Sequence, residues 1–314
     1  MTRAISAIRP ASHSAATLAT LGVVLAAFCW GLAAIIAKGA FDRGITAEQM
    51  AQARVLVAVV PLFVFLILFR RPLLGVPRRA LPMVILFGFS VVVVNWSYYV
   101  AIDRLDIGVA LSLQYTAPVL ILVLSAVTAR RSPGNVAWVA GGVTLLGAFL
   151  VSGAYAGLGT LDGTGLAAAV VAMLTFAAYL LTAEASGRRG AHPASVLLFG
   201  FAVATVVWGV IQPWSNWPWD RLADPEISLR VLGSGIIGTL LPFLLAVAAI
   251  RIISAPLAGI AATFEPVFAA ALAWLLLGQS LSLPQVVGGA CVVAGVVIAQ
   301  LSRTTGATPV EVTP

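Results

Sequence analysis

Residues Ala101–Val151 read AIDRLDIGVALSLQYTAPVLILVLSAVTARRSPGNVAWVAGGVTLLGAFLV, and Ala249–Ala299 read AIRIISAPLAGIAATFEPVFAAALAWLLLGQSLSLPQVVGGACVVAGVVIA. Laid over each other at a constant offset of 148, without a gap, Ala101-Ile102 falls on Ala249-Ile250 and Ala110 on Ala258. Pro118-Val119 falls on Pro266-Val267, Ser132 on Ser280, Gly141 on Gly289 and Gly147 on Gly295. Identity is sparse and much of the remainder is generically apolar. The prolines and glycines held in register therefore carry the reading that the second half repeats the first, divided as residues 1–153 and 154–314.

Outside this window the chain continues as apolar runs. Apolar residues make up 61% and charged residues 9%, against roughly a quarter charged in an ordinary soluble domain, which excludes that class. A hydrocarbon core of about 30 Å needs about 20 helical residues. The qualifying runs lie near 17–38, 50–69, 80–101, 107–128, 135–153, 163–184, 194–212, 229–250, 254–277 and 283–301. Exposed sheet edges cannot satisfy their backbone groups in lipid, and the ten-residue alternation of a membrane barrel is absent, so ten membrane-spanning helices are predicted. The first run is too long for a signal-peptide core and nine more follow it, so it reads as a retained helix. The tails, 1–16 and 302–314, are polar.

The net charge of +7 comes from short clusters between the apolar runs, a topology signal and not a nucleic-acid footprint. With the N-terminus inside, Arg3, Arg9, Arg70, Arg71, Arg78, Arg79, Arg130, Arg131, Arg188, Arg189, Arg251 and Arg303 face the cytoplasm, and Lys38, Arg43, Arg104, Arg221 and Arg230 face outward. This bias places both termini in the cytoplasm. Five spans per half is an odd number, so the halves insert with opposite topology, as an inverted repeat. Substrate sites in such proteins lie at the repeat interface. The single lysine, Lys38, leaves no Walker A motif. Cys29 and Cys291 lie in apolar runs as small buried residues, and His13 and His192 form no metal cluster, so no cofactor or metal is expected.

Glu265 is the acidic residue nearest the middle of a span, and an ionisable group there faces the bundle interior or a cavity. Pro266 follows it and frees backbone acceptors. Two readings stand: a carboxyl that binds a substrate ammonium group or exchanges a proton, and a protonated side chain hydrogen-bonded to a neighbouring helix. Pro118 and Pro266 are the candidate hinges. Ala117 aligns with Glu265, so the first half offers Gln114 and Tyr115 instead, as pocket lining or as helix–helix hydrogen bonds. Arg54 lies four residues into its span; it either snorkels to the interface or pairs with a substrate carboxylate or Glu265. Asn95 is a further candidate, as are Trp30 and Tyr179, which otherwise pack; Tyr98 and Tyr99 read more simply as an interfacial belt. Trp214, Trp217 and Trp219 in the loop Gln212–Ser228 mark the interface or a gating loop. Gly233-Ser234-Gly235-Ile236-Ile237-Gly238 matches G-x-G-x-x-G, but no strand precedes it, so close helix approach explains it better than a dinucleotide site. No nucleophile–base pair is present, so no enzyme is expected.

Together these residues resemble the drug/metabolite transporter superfamily in its ten-span EamA-type branch. Phe28-Cys29-Trp30-Gly31 is similar to that family's first-helix signature, with Lys38 closing the helix. Arg54 matches an arginine early in the second helix, and Ala255-Pro256-Leu257-Ala258 with Glu265-Pro266-Val267 resembles the ninth. Gln279 and Arg131 depart from the pattern, standing where glutamates are frequent. The Ile107–Arg131 region also resembles amino-acid exporters of the threonine/homoserine and YddG-like types. The resemblance implies a ten-helix bundle around a central cavity lined largely by the third, fourth, eighth and ninth helices. It further implies a bacterial inner-membrane secondary transporter, monomer or homodimer, that exports small metabolites, amino acids first, by alternating access. Export of lipophilic cations or drugs, and a non-transporting membrane binding or lipid-handling role, are the alternatives.

Overall fold

A computed structural model describes residues 13–105, 107–129, 134–156, 162–278 and 280–305, so Arg3, Arg9, Arg130, Arg131, Ser132, Gln279 and the extremes of both tails lie outside the described residues. Among the described residues the chain is helical: α1 (His13–Phe41), α2 (Ala47–Phe69), α3 (Leu81–Arg104), α4 (Ile107–Gln114), α5 (Ala117–Ala129), α6 (Asn135–Val151), α7 (Gly163–Arg188), α8 (Pro193–Ile211), α9 (Pro225–Gly235), α10 (Leu241–Ile253), α11 (Ala255–Ala262), α12 (Phe264–Leu277) and α13 (Leu283–Thr305). A π turn, Ile236–Leu240, joins α9 to α10. Among the described residues seven stretches are long and apolar enough to cross a membrane, one of them the continuous Pro225–Ile253; the apolar helices Val109–Leu124, Asn135–Val151 and Leu283–Ala299 are shorter. The protein is a multi-pass membrane protein.

Helix ends follow from their local sequences. Thr46 and Gln49 form a reciprocal capping box that starts α2. Asp162 accepts from the Gly165 amide to start α7, and Asp224 from Glu226 to start α9. The helices end early at two places. The ring of Pro118 excludes a hydrogen bond to the Gln114 carbonyl, and that of Pro266 a bond to Ala262. Accordingly the chain breaks at Tyr115-Thr116 and again at Thr263, each within three residues of its proline. One long predicted span thus becomes α4–α5, and its repeat partner becomes α11–α12.

His192 caps α8 by accepting at Nδ1 from the Ala194 amide, 3.2 Å away, ahead of Pro193. Burial, and secondarily the charge of Arg251, lower its pKa below the usual imidazole value. The fold therefore favours neutral His192, and this contribution is lost as pH falls through about 6.5, where the unfolded chain takes up its proton first. Thermal melts should show a lower midpoint at pH 5 than at pH 7.5, and His192→Asn, which keeps an acceptor at the cap, should flatten that difference.

Packing exchanges the two halves. Helix α3 packs on α7 and α1 on α10; α4 and α5 pack on α7 while α11 and α12 pack on α1; α2 packs on α8 and α6 on α13. At the α6–α13 contact Gly147 sits on the Gly288 carbonyl and Val292 amide, while Gly295 sits on the Ala140 carbonyl and Thr144. At the offset of 148 these are the same contact with the halves swapped. The G-x-G-x-x-G stretch is a close-approach surface: a Cβ on Gly235 would lie 2.2 Å from Val57 and one on Gly238 2.5 Å from Ala33. Loops from alternate connections meet at each end of the bundle. Arg43 pairs with Glu226 and Tyr155 bonds Ser282 at one end, and Arg79 donates to the Arg189 carbonyl at the other.

Candidate functional site

Where α1, α2, α3, α4, α7, α10 and α12 converge they enclose a cavity of about 60 Å³. Trp30, Ala33 and Ala34 come from α1, Arg54 from α2, and Val94, Asn95, Tyr98 and Tyr99 from α3. Gln114 ends α4, Phe176 and Tyr179 lie on α7, Phe243 on α10 and Glu265 on α12. Six of the seven residues singled out in the sequence line this space. The seventh, Tyr115, stands behind it and donates its hydroxyl to Oε2 of Glu265. Pro118 and Pro266 lie on the broken helices beside it, and Pro118 packs against Gly259 of α11. The lining therefore extends beyond α3, α4, α10 and α12, which hold the four spans expected to line it, to α1, α2 and α7.

Glu265 is 7% exposed. Its helix approaches α1 so closely that a Cβ on Gly31 would sit 3.0 Å from the Ala269 amide and 3.2 Å from the Glu265 carbonyl. The Trp30-Gly31 pair thus combines a ring facing the cavity with a glycine that admits α12.

Arg54 does not snorkel. It is 5% exposed and turned into the bundle. Nε donates to Thr239 Oγ1 (2.7 Å), Nη1 to the Tyr99 hydroxyl (2.8 Å) and Nη2 to the Gly238 carbonyl (2.5 Å). The Gly238 carbonyl is open to a side-chain donor because the residue four positions on, Pro242, has no N–H to give it. The guanidinium also lies 5.7 Å from the centre of the Tyr99 ring. Among the described residues no ion pair joins Arg54 to Glu265; they share the cavity without touching. Three buried polar atoms of the lining, Tyr98 Oη, Gln114 Oε1 and Tyr179 Oη, have no protein partner. Unpaired buried polar groups are costly, so they mark a place for polar ligand atoms or water.

The belt reading of Tyr98 and Tyr99 is corrected: both are held inside the bundle, because Arg54 and the cavity draw that face of α3 inward, while Trp96 faces outward at 45% exposure. Phe176 and Phe243 are lining residues that sequence reasoning missed. The Phe243 ring lies 5.2 Å from that of Tyr179 and 5.8 Å from that of Trp30. Asn95 lines the cavity while its Nδ2 returns to the Val91 carbonyl, 2.7 Å away. Trp217 is buried and donates to Gln52 Oε1 at 2.5 Å, so this tryptophan anchors its loop to α2. Cys29 is buried, and Cys291 is half-buried beside Gly147.

Beyond Tyr98 and Tyr99 opens a larger vestibule of about 950 Å³, bordered by Lys38, Asp42, Glu48, Asp103 and Arg104. Ala34, Tyr98 and Tyr99 belong to both spaces. Tyr98 and Tyr99 are thus the partition between cavity and vestibule. Among the described residues no group of His, Cys, Asp and Glu is arranged to hold a metal ion.

The model of the EamA-like transporter family matches this chain twice, over residues 17–153 and 163–301. The threonine/homoserine exporter RhtA of Salmonella typhimurium strain SL1344 is 25% identical over 221 residues, 69% of this chain and 70% of that one. An uncharacterized transporter of Archaeoglobus fulgidus is 27% identical over 231 residues, 72% of this chain and 77% of the relative. A solved crystal structure superposes with a TM-score of 0.71 at 19% identity, covering 95% of this chain and all of the other; that likeness bears on fold alone.

Proposed function

Since the chain belongs to the EamA-like transporter family, we propose that it is a secondary transporter exporting small zwitterionic metabolites, amino acids first, across a bacterial inner membrane. The observation that carries this reading is the placing of one carboxylate, Glu265, and one guanidinium, Arg54, on a single cavity without pairing to each other. An α-amino acid has the complementary ends: its ammonium suits Glu265, and its carboxylate suits Arg54, whose fork retains one N–H on each Nη after the three bonds described. Gln114, Tyr98 and Tyr179 supply further polar contacts. RhtA, a relative over two thirds of its length, is named for threonine and homoserine, which makes threonine the first probe.

We read the seven long and three shorter apolar helices as ten crossings in two inverted halves, a plan suited to an alternating mechanism, with the helix breaks beside Pro118 and Pro266 as its hinges. With both termini cytoplasmic, the vestibule is external and Tyr98 and Tyr99 form the outer partition. Rocking about the two helix breaks would open the cavity to the other side.

The test is counterflow. Proteoliposomes loaded with unlabelled threonine should accumulate external labelled threonine, saturably and only when loaded. A pH gradient that drives uphill accumulation would assign proton exchange to the carrier; its failure to do so leaves facilitated diffusion. The second reading, export of lipophilic cations, has its own observation: Trp30, Phe176, Tyr179 and Phe243 line the same cavity as Glu265, an arrangement that attracts organic cations. Exchange of a quaternary ammonium compound in place of threonine would replace the first reading with the second.

A further inference from the structure

The register between the two halves is not constant along the chain. Thr46 and His192, the residues that cap α2 and α8, are 146 apart. The α2–α8 pairing keeps that offset at the next contact. Gly88 of α3 packs on the Gly200 carbonyl and Val203, and Gly235 of α9 packs on the Arg54 carbonyl and Val57. Arg54 with Gly200, and Val57 with Val203, again differ by 146, which makes Gly88 and Gly235 equivalent at an offset of 147. From Ala101 and Ala249 onward the offset is 148. The step from 147 to 148 falls between Gly235 and Ala249, and the π turn Ile236–Leu240 lies in that interval. A turn closed by i→i+5 bonds holds one residue more than an α turn.

The residues around this step differ between the halves in a matched way. In the second half Gly200 stands where the first has Arg54, and Phe87 lies over Gly200, its ring 2.4 Å from where a Cβ would be. In the second half Ser234 takes the place of Phe87. The small residue leaves room, and the extra residue presents two acceptors. Thr239 Oγ1 gives its proton to the Ser234 carbonyl (2.9 Å) and so receives Arg54 Nε; the Gly238 carbonyl receives Nη2.

We propose that the π turn is a one-residue insertion in the second half that builds the seat of Arg54, so that the cavity takes an anionic substrate group at this one place; Thr239 is its positioning residue. The inference rests on the reading of Arg54 as partner of a substrate carboxylate, and its test separates the two. Counterflow of labelled threonine is measured with threonine and threoninamide as competitors, on variants shown monodisperse by size exclusion. Thr239→Val, which removes the acceptor for Nε, should raise KM about tenfold with kcat little changed, and Thr239→Ser should restore it. Deletion of Ile237, which is 36% exposed on the bundle surface, should return the turn to α geometry and abolish the preference for threonine over threoninamide.

If Arg54→Gln loses that preference while Thr239→Val and the Ile237 deletion keep it, the seat is refuted and the carboxylate reading stands. If Arg54→Gln keeps it, the carboxylate reading falls and the seat with it. Should the deletion not fold, the Thr239→Val and Thr239→Ser pair decides alone. A wild-type protein that exchanges none of the labelled amino acids overturns both.

Discussion

Glu265→Gln is expected to raise KM for threonine counterflow by about ten- to a hundredfold while the protein remains folded in the membrane. Glutamine has the shape of glutamate and can still accept from the Tyr115 hydroxyl, so the contact between the α4–α5 break and α12 survives. What disappears is the negative charge facing the cavity. A hydrogen bond to a charged group contributes about 1.5–3 kcal/mol, and each 1.4 kcal/mol is about a factor of ten in affinity. Tyr115→Phe provides the contrast. It removes the donor to Glu265 but leaves the carboxylate, and an interhelical hydrogen bond in lipid contributes only about 1 kcal/mol. The tyrosine variant should therefore shift KM several-fold less than the glutamine variant. Equal effects would mean that Glu265 acts through the helix contact, and an unchanged KM in Glu265→Gln would remove it from the substrate site.

Glu265, Pro118 and Pro266 were legible in the chain because a carboxyl or a proline inside an apolar run is an exception with a physical cost. The helix breaks beside the prolines followed from the same cost, and they explain why a long apolar run in the first half yields two short helices. Arg54 was legible as a candidate but not in its direction. Four residues from a span end, an arginine can reach water or the interior, and the choice is made by acceptors on another helix, Thr239 and Gly238, far away in sequence. The aromatic residues were the least legible. Phe176 and Phe243 carry no polar atom, so nothing in the sequence separates a ring facing the cavity from one facing lipid. Tyr98 and Tyr99 sit at the depth where a belt is expected, and only the bond of Arg54 to Tyr99 and the place of Tyr98 on the cavity wall put them inside. The π turn has no compositional mark, yet it left a trace in the sequence. Aligning the halves segment by segment shows the register slipping by one between Gly88–Gly235 and Ala101–Ala249, and that slip is the signal that would have found it.

The largest effect on folding is expected at the α6–α13 contact. A Cβ on Gly288 would lie 2.4 Å from the Val151 amide nitrogen and 2.8 Å from the Gly147 carbonyl, both backbone atoms that cannot rotate away. Gly288→Leu must therefore separate the two helices. Helix association in lipid has no hydrophobic drive and depends on such close packing. Overpacking alone costs about 1–3 kcal/mol, and loss of the dispersion contacts along the interface adds to it. Most of the protein should then be lost as a monodisperse peak in size exclusion. Gly142→Leu, at a position where a Cβ meets nothing within 4 Å, should leave the peak intact. The repeat adds a stricter requirement. Gly147 and Gly295 occupy equivalent positions and rest on equivalent atoms, the Gly288 carbonyl with Val292 and the Ala140 carbonyl with Thr144. Leucine at either should lower the melting temperature by a similar amount, slightly less at Gly295, because the atom nearest its Cβ is a threonine hydroxyl that can turn aside. A tolerated leucine at one and collapse at the other would mean that the halves do not share this contact as equivalent partners, whatever register their sequences keep.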